Sequence, residues 1–321
     1  MDLLNKNIIS GIRKENCFNF LRFFFALTLI ISHFCTLTGH KQLLPITGST
    51  SVKAFFTISG FLVTYSFIQR DYNLVSYAKR RFARIMPAYV VTILFCILIG
   101  WMVTSLNTVE FFSSKQTFNY FIANITMLNW LEPELPNTFQ NNPWPQMDGS
   151  LWVMKQEVLF YIFVPFFIYI ANKTGKKWIC LPILLLCVTI YPFVNDQTRY
   201  FTYFIGGMFL MLYFDLYNKY FIYIFIFSII ALIGGGLDTL AFPIILIGVA
   251  YHCKPFNVFR KFDNITYGLF LYHFPIIQLL IHYGVAEYNL FLCFILTIIV
   301  TSILATISWF YIEKPLMKKC A

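Results

Sequence analysis

The stretch that decides the fold is FLRFFFALTLIISHFCTLT, residues 20–38, with one charged side chain, Arg22, and one histidine, His33. As a helix it is about 28 Å long, close to the ~30 Å apolar thickness of a bilayer. Comparable runs recur at about 50–69, 86–105, 151–171, 178–194, 200–217, 220–235, 239–252, 266–283 and 289–312. The seventh and eighth are short and joined by Gly234-Gly235-Gly236, which suits either a tight pair or one broken element. The reading is all-α: a polytopic transmembrane bundle of about ten spans, one membrane domain over residues 1–321.

Composition agrees. Of the 321 residues 59% are hydrophobic and only 12% charged, about half the charge of an average soluble domain. An aromatic content of 20% excludes disorder. Lys6, Arg13 and Lys14 lead into the first run without a cleavage pattern, so it reads as a retained helix. The eight cysteines contain no CxxC pair, and neither a disulfide framework nor a metal site is expected.

The net charge of +10 reads as topology rather than as nucleic-acid binding. With the N-terminus inside, the cytoplasmic segments hold Lys6, Arg13, Lys14, Arg70, Lys79, Arg80, Arg81, Arg84, Lys173, Lys176, Lys177, Lys219, Lys254, Arg260, Lys261, Lys314, Lys318 and Lys319. The outer side keeps Lys41, Lys53, Lys115 and Arg199. This split predicts an even number of spans with both termini cytoplasmic.

The long segment at about 106–150 then lies outside. Its front part, with Phe111, Phe112, Phe118, Tyr120 and Phe121, predicts an amphipathic helix on the membrane. Its Asn- and Pro-rich back part, with Trp144, is either a lid over an external acceptor or a folded cap.

Ionisable groups inside spans are costly and few: Arg22, His33, Lys155, Glu157 and His273. Arg22 and His33 are 11 residues apart, about 16 Å along one helix face, as if meeting two ends of one ligand. Glu157 sits about two turns into the fourth span, near the depth of His33. A carboxylate beside an imidazole stabilises the imidazolium formed when the ring takes a proton, so the two make a candidate acid–base pair; the alternative is that Glu157 pairs structurally with Lys155 or a Tyr. Lys155 points elsewhere on that helix. His273 is either a packing residue bonded to a carbonyl freed by Pro275 or a direct participant. Ser59-Gly60 reads as close helix packing rather than as a nucleophile. Lys79-Arg80-Arg81-Phe82-Ala83-Arg84 suits lipid phosphates or a polyphosphate ligand.

Six motifs in order carry a resemblance. They are Arg22 to His33; Phe55-Phe56-Thr57-Ile58-Ser59-Gly60-Phe61-Leu62; and Arg80-Arg81-Phe82-Ala83-Arg84-Ile85-Met86-Pro87, read as a cytoplasmic loop. Then come Ser150-Leu151-Trp152 through Glu157 to Phe160-Tyr161 and Pro165; Tyr267 to Pro275; and Trp309 to Pro315. Together they make the chain similar to the membrane-integral acyltransferase-3 family, which includes O-antigen and exopolysaccharide O-acetyltransferases.

That resemblance implies transfer of an acyl group, commonly acetyl from cytoplasmic acetyl-CoA, to a hydroxyl of a cell-surface polysaccharide or its lipid-linked precursor. It also implies a multi-pass protein of the cytoplasmic (inner) membrane, among lipids. His33 and Glu157 are then the expected catalytic residues and Arg22, Arg81 and Arg84 the expected CoA contacts. Trp152, Tyr161 (as an oxyanion donor) and His273 are expected in support. Neither a metal nor a C-terminal SGNH domain is expected. Direct transfer and an acyl-His33 intermediate both remain open. The rivals are a polysaccharide transporter or polymerase, and acylation of a lipid or small molecule.

Overall fold

The computed structural model describes residues 16–41, 45–69, 73–174, 178, 180–190, 196–234, 238–253 and 265–320. Among them every regular element is helical. In chain order they are α1 (Phe18–Leu37), α2 (Gly48–Gln69), α3 (Leu74–Val103), α4 (Thr108–Ser113), α5 (Lys115–Ile125), α6 (Trp152–Thr174), α7 (Cys180–Ile190) and α8 (Asp196–Leu212). There follow α9 (Phe214–Lys219), α10 (Phe221–Ile233), α11 (Asp238–His252), α12 (Thr266–His282), α13 (Val285–Tyr288), α14 (Leu290–Ser308) and α15 (Lys314–Lys319). A π-helical turn, Trp309–Glu313, joins the last two.

Among the described residues α1, α2, α3, α6 and the run Leu290–Lys319 are long and apolar enough to cross a membrane. The chain is therefore read as membrane-embedded. Gly235, Gly236, Lys6, Arg13, Lys14, Arg70, Lys176, Lys177, Lys254, Arg260 and Lys261, on which part of the topology reading rests, lie outside the described residues.

One expectation changes. The basic run 79–84 is not a loop; it occupies the first turns of α3, a 30-residue helix starting at Leu74. Leu, Ala, Lys and Arg are all strong helix formers, and nothing between 74 and 86 breaks the pattern. Pro87 lies inside α3, as Pro165, Pro243 and Pro275 lie inside α6, α11 and α12. Buried helices accept such prolines because neighbouring groups satisfy the freed carbonyls.

The chain divides into two compact units. The first comprises Met1–Phe25, Ser49–Tyr77 and Glu157–Asp263. Here α2 and α8 meet backbone to backbone: a Cβ on Gly60 would stand 2.1 Å from the Phe204 carbonyl oxygen, and one on Gly207 2.1 Å from that of Thr57. No larger residue fits either place, so the Ser59-Gly60 step is a packing device. Phe56, Phe160 and Phe204 fill the space beside it, with Phe160 and Phe204 stacked at 4.1 Å.

The second unit comprises Ala26–Gly48, Ala78–Gln156 and Asn264–Ala321. Its centre is α12 against α14, where Gly268 meets Ala305. The segment 106–150 belongs to this unit and is folded. An Asn107/Glu110 capping box opens α4, and the Tyr89 hydroxyl donates to the Asn124 carbonyl at 2.7 Å. The expected amphipathic character divides: Phe112 and Phe118 are exposed, whereas Phe111 and Tyr120 are buried within the unit.

Candidate active site

His33 lies on α1 three helical turns beyond Arg22. Its Nδ1 is 2.6 Å from Nε2 of His273 on α12, across a sequence separation of 240 residues. The ring planes differ by 4° and the centroids are 4.9 Å apart. That separation is close to the N···N distance plus a ring radius at each end, so the rings lie edge to edge in one plane, as an in-plane lone pair requires. The Nδ1 of His273 faces two carbonyl oxygens of its own helix, Phe270 at 2.8 Å and Leu269 at 3.1 Å. His273 is completely buried. Phe274 stands edge-on to His33 at 5.5 Å and joins Phe34, Leu37, Ile277 and Cys293 in an apolar cluster beside the pair. The reading of His273 as a histidine bonded only to its own backbone is incomplete, since its second nitrogen reaches His33.

Beyond His273 on α12, the buried Gln278 donates to the carbonyls of Trp144 and Gln146, the latter at 2.6 Å. Asn142 donates to the Gln278 carbonyl and side-chain oxygen, both at 2.9 Å. The back of the segment 106–150 is thus tied to the helix that carries His273, while half of Trp144 stays exposed. Sequence reading did not single out Gln278; an amide inside an apolar helix was the available signal.

Asp148, just before α6, is buried. Its Oδ1 accepts from the Ser150 amide at 2.9 Å and hydroxyl at 2.6 Å, and its Oδ2 has no hydrogen-bond partner among the described residues. Burial pushes its carboxyl up to about 7, outweighing the Ser150 bonds, which favour the anion.

Glu157 and Tyr161 belong to the first unit. The Tyr161 hydroxyl donates to Glu157 Oε1 at 2.5 Å, one turn apart on α6, so it is engaged with the carboxylate. Tyr161 is held in turn through its backbone carbonyl, which accepts from the Tyr77 hydroxyl at 3.0 Å. Lys155, in the second unit, lies over the ring of Trp130 at 3.8 Å, away from the Glu157 face as expected for neighbours two residues apart. Trp152 is partly buried at the start of α6.

Arg22 is partly buried on α1, as are Arg81 and Arg84 on α3, where a spacing of three places the latter two on one face. Arg84 packs on the C-terminal segment: its guanidinium is 5.7 Å from the Trp309 ring centroid, and one nitrogen donates to Met317 Sδ at 3.4 Å. Glu313 turns inward; Ser308 donates to its Oε1 at 3.1 Å, and it is fully buried. Residues five apart align in a π turn and not in an α turn, so the π turn makes that bond. Lys314 extends over Phe310. Among the described residues no group of three or more His, Cys, Asp or Glu comes together to hold a metal ion.

What such a site does is narrowed by relatives. The chain is 25% identical over 335 residues to a protein named O-acetyl transferase from Shigella phage Sf6, covering 95% of this chain and 97% of the relative. It is 26% identical to nodulation protein 10 of Rhizobium leguminosarum bv. viciae over 350 residues, 95% of this chain and 94% of the relative. The O-acetyltransferase OatA of Staphylococcus aureus (strain NCTC 8325 / PS 47) is 24% identical over 326 residues, covering 85% of this chain and 53% of OatA. No solved structure matches. The acyltransferase-domain family aligns with residues 15–311, and on that match, with a membrane-embedded helical fold beneath it, the chain belongs to the acyltransferase-3 family.

Proposed function

We propose that this membrane-embedded acyltransferase transfers acetyl from cytoplasmic acetyl-CoA to a hydroxyl of an extracytoplasmic polysaccharide or its lipid-linked precursor. It would do so in the cytoplasmic membrane as a ten-span protein with both ends inside. Two relatives named O-acetyltransferase support the reaction class. The observation that carries the reading is the His33–His273 pair: two imidazoles in direct contact, beside an apolar cluster, are a costly arrangement that packing alone does not call for.

In this reading His33 takes the proton of the acceptor hydroxyl as its oxygen bonds to the thioester carbon. The carbon–sulfur bond then breaks, and the proton passes from His33 to the departing thiolate. Glu157, its carboxylate bonded to Tyr161, is the second catalytic group. Arg81 and Arg84 meet the CoA phosphates, to which planar guanidinium forks are matched, and Arg22 meets the pantetheine arm.

The test is transfer of labelled acetyl by the purified protein in lipid discs. His33→Ala is expected to lower it by on the order of 10²–10⁴-fold. Transfer at the wild-type rate would remove His33 from the reaction. Label trapped on His33 without acceptor would establish the two-step route. Mass analysis of surface glycans from wild-type and deletion strains tests the acceptor, and an unchanged glycan would redirect the search to lipids or small molecules.

A further inference from the structure

We propose that His273 is the positioning residue that makes Nε2 of His33, and not Nδ1, the base of the transfer reaction. The inference deepens the proposed function and rests on it for its kinetic consequence; the protonation pattern stands on the geometry alone.

The number of hydrogens available fixes both tautomers. Carbonyl oxygens carry none, so the Nδ1 of His273, facing Phe270 and Leu269 carbonyls at 2.8 and 3.1 Å, must be the donor there. A neutral ring protonated at Nδ1 has its lone pair at Nε2. That atom lies 2.6 Å from His33 Nδ1, in the plane of both rings. A bond of this length needs one hydrogen between the two nitrogens, and His33 Nδ1 must supply it. The remaining lone pair of His33 is then at Nε2, the nitrogen on the far side of the ring.

The opposite assignment fails. To donate from Nε2, His273 would have to be doubly protonated in a fully buried place, or turn a bare Nδ1 lone pair toward two carbonyl lone pairs. Either is unfavourable against a neutral pair in which every hydrogen has an acceptor.

The consequence is a relay ordered before the substrate arrives. When Nε2 of His33 receives the hydroxyl proton, the positive charge is shared through the Nδ1–H with His273, whose own Nδ1–H is held by helix carbonyls. His273 does for His33 what a carboxylate does in a hydrolytic triad: it fixes tautomer and orientation and stabilises the imidazolium. It does so without placing a full negative charge among apolar side chains.

The experiment has two arms. Nitrogen-15 spectra of the wild-type protein carrying labelled histidine, assigned by difference against His33→Ala, are expected to show both His33 and His273 protonated at Nδ1. A His33 ring protonated at Nε2 overturns the proposal whatever the enzyme does. In the second arm, His273→Leu is expected to lower kcat for labelled acetyl transfer by on the order of 10²-fold while leaving KM for acetyl-CoA nearly unchanged. His273→Gln, whose side-chain oxygen can still accept the Nδ1 hydrogen, is expected to recover most of that loss. An unchanged kcat in His273→Leu, or equal losses in both variants, overturns the positioning role. If wild-type protein transfers nothing from acetyl-CoA, the donor reading fails, and the spectrum still decides the tautomer.

Discussion

In the first unit Lys53 donates to Asp238 at 2.8 Å, Tyr203 donates to the same carboxylate oxygen at 2.6 Å, and the two charged side chains are 20% and 40% exposed. In the second unit Asp148 is buried with one carboxylate oxygen lacking a hydrogen bond among the described residues; Glu313 is buried with Ser308 donating to one oxygen, no hydrogen bond to the other among those residues, and the charge of Arg84 nearby. The first arrangement settles charge locally, between partly exposed side chains. The second keeps ionisable groups out of water with their bonding incomplete, in the same unit as the His33–His273 pair. The units therefore differ in how they hold polar groups, although each has close helix contact, at Gly60 and Gly207 in the first and at Gly268 in the second.

The strongest way to break that contrast is at the helix contact of the first unit. Gly60→Leu must push α2 off α8, because even a Cβ would stand 2.1 Å from a carbonyl oxygen. The expected loss is at the upper end of, or beyond, the ~1–3 kcal/mol usual for overpacking, read as a lowered unfolding midpoint in detergent or lipid discs. A midpoint equal to wild type would show that the backbones do not touch.

A smaller effect, set by pH, is expected at Asp148. Its carboxyl in the folded protein titrates at about 7, above the ordinary value of 3.8. The folded state therefore holds a proton that the unfolded chain releases near pH 4. The stabilisation is complete below that point and is lost as pH rises through about 7. At about 1.4 kcal/mol per pKa unit the swing is a few kcal/mol. Asp148→Asn is expected to flatten the fall in unfolding midpoint between pH 5 and pH 8. A variant that keeps the full wild-type slope assigns the dependence to another group.

The smallest effect belongs to the exposed pair. Lys53→Ala is expected to cost less than about 1 kcal/mol, because partly hydrated ion pairs contribute little and are screened by salt. A loss of several kcal/mol, undiminished at high salt, would place this pair in the same class as Asp148 and erase the contrast between the units.

Much of this was readable from residues alone, and the limits have physical causes. Apolar runs near bilayer length determine helices because a lipid-facing backbone must satisfy its own hydrogen bonds, so α1, α2 and α6 begin and end close to where their sequences imply. The start of α3 is not where its charge suggests, because a basic run resembles a loop although Arg and Lys propagate a helix well. The burial of Asp148 leaves no mark in the sequence, since burial is not a property of a residue's neighbours in the chain.

His33 stood out for the same reason the whole fold did: one imidazole in an otherwise apolar helix is expensive and conspicuous. Its contact with His273 was not legible in the same way. Glu157 was chosen by depth and chemistry, and its carboxylate bonds to Tyr161, one turn away. The atom found against His33 comes from His273, 240 residues distant. Local periodicity determines which residues become helix and which of them are costly to bury. Which buried nitrogen meets which is decided only when α1 and α12 are packed side by side, because a hydrogen bond across that distance leaves no trace in the spacing of either segment.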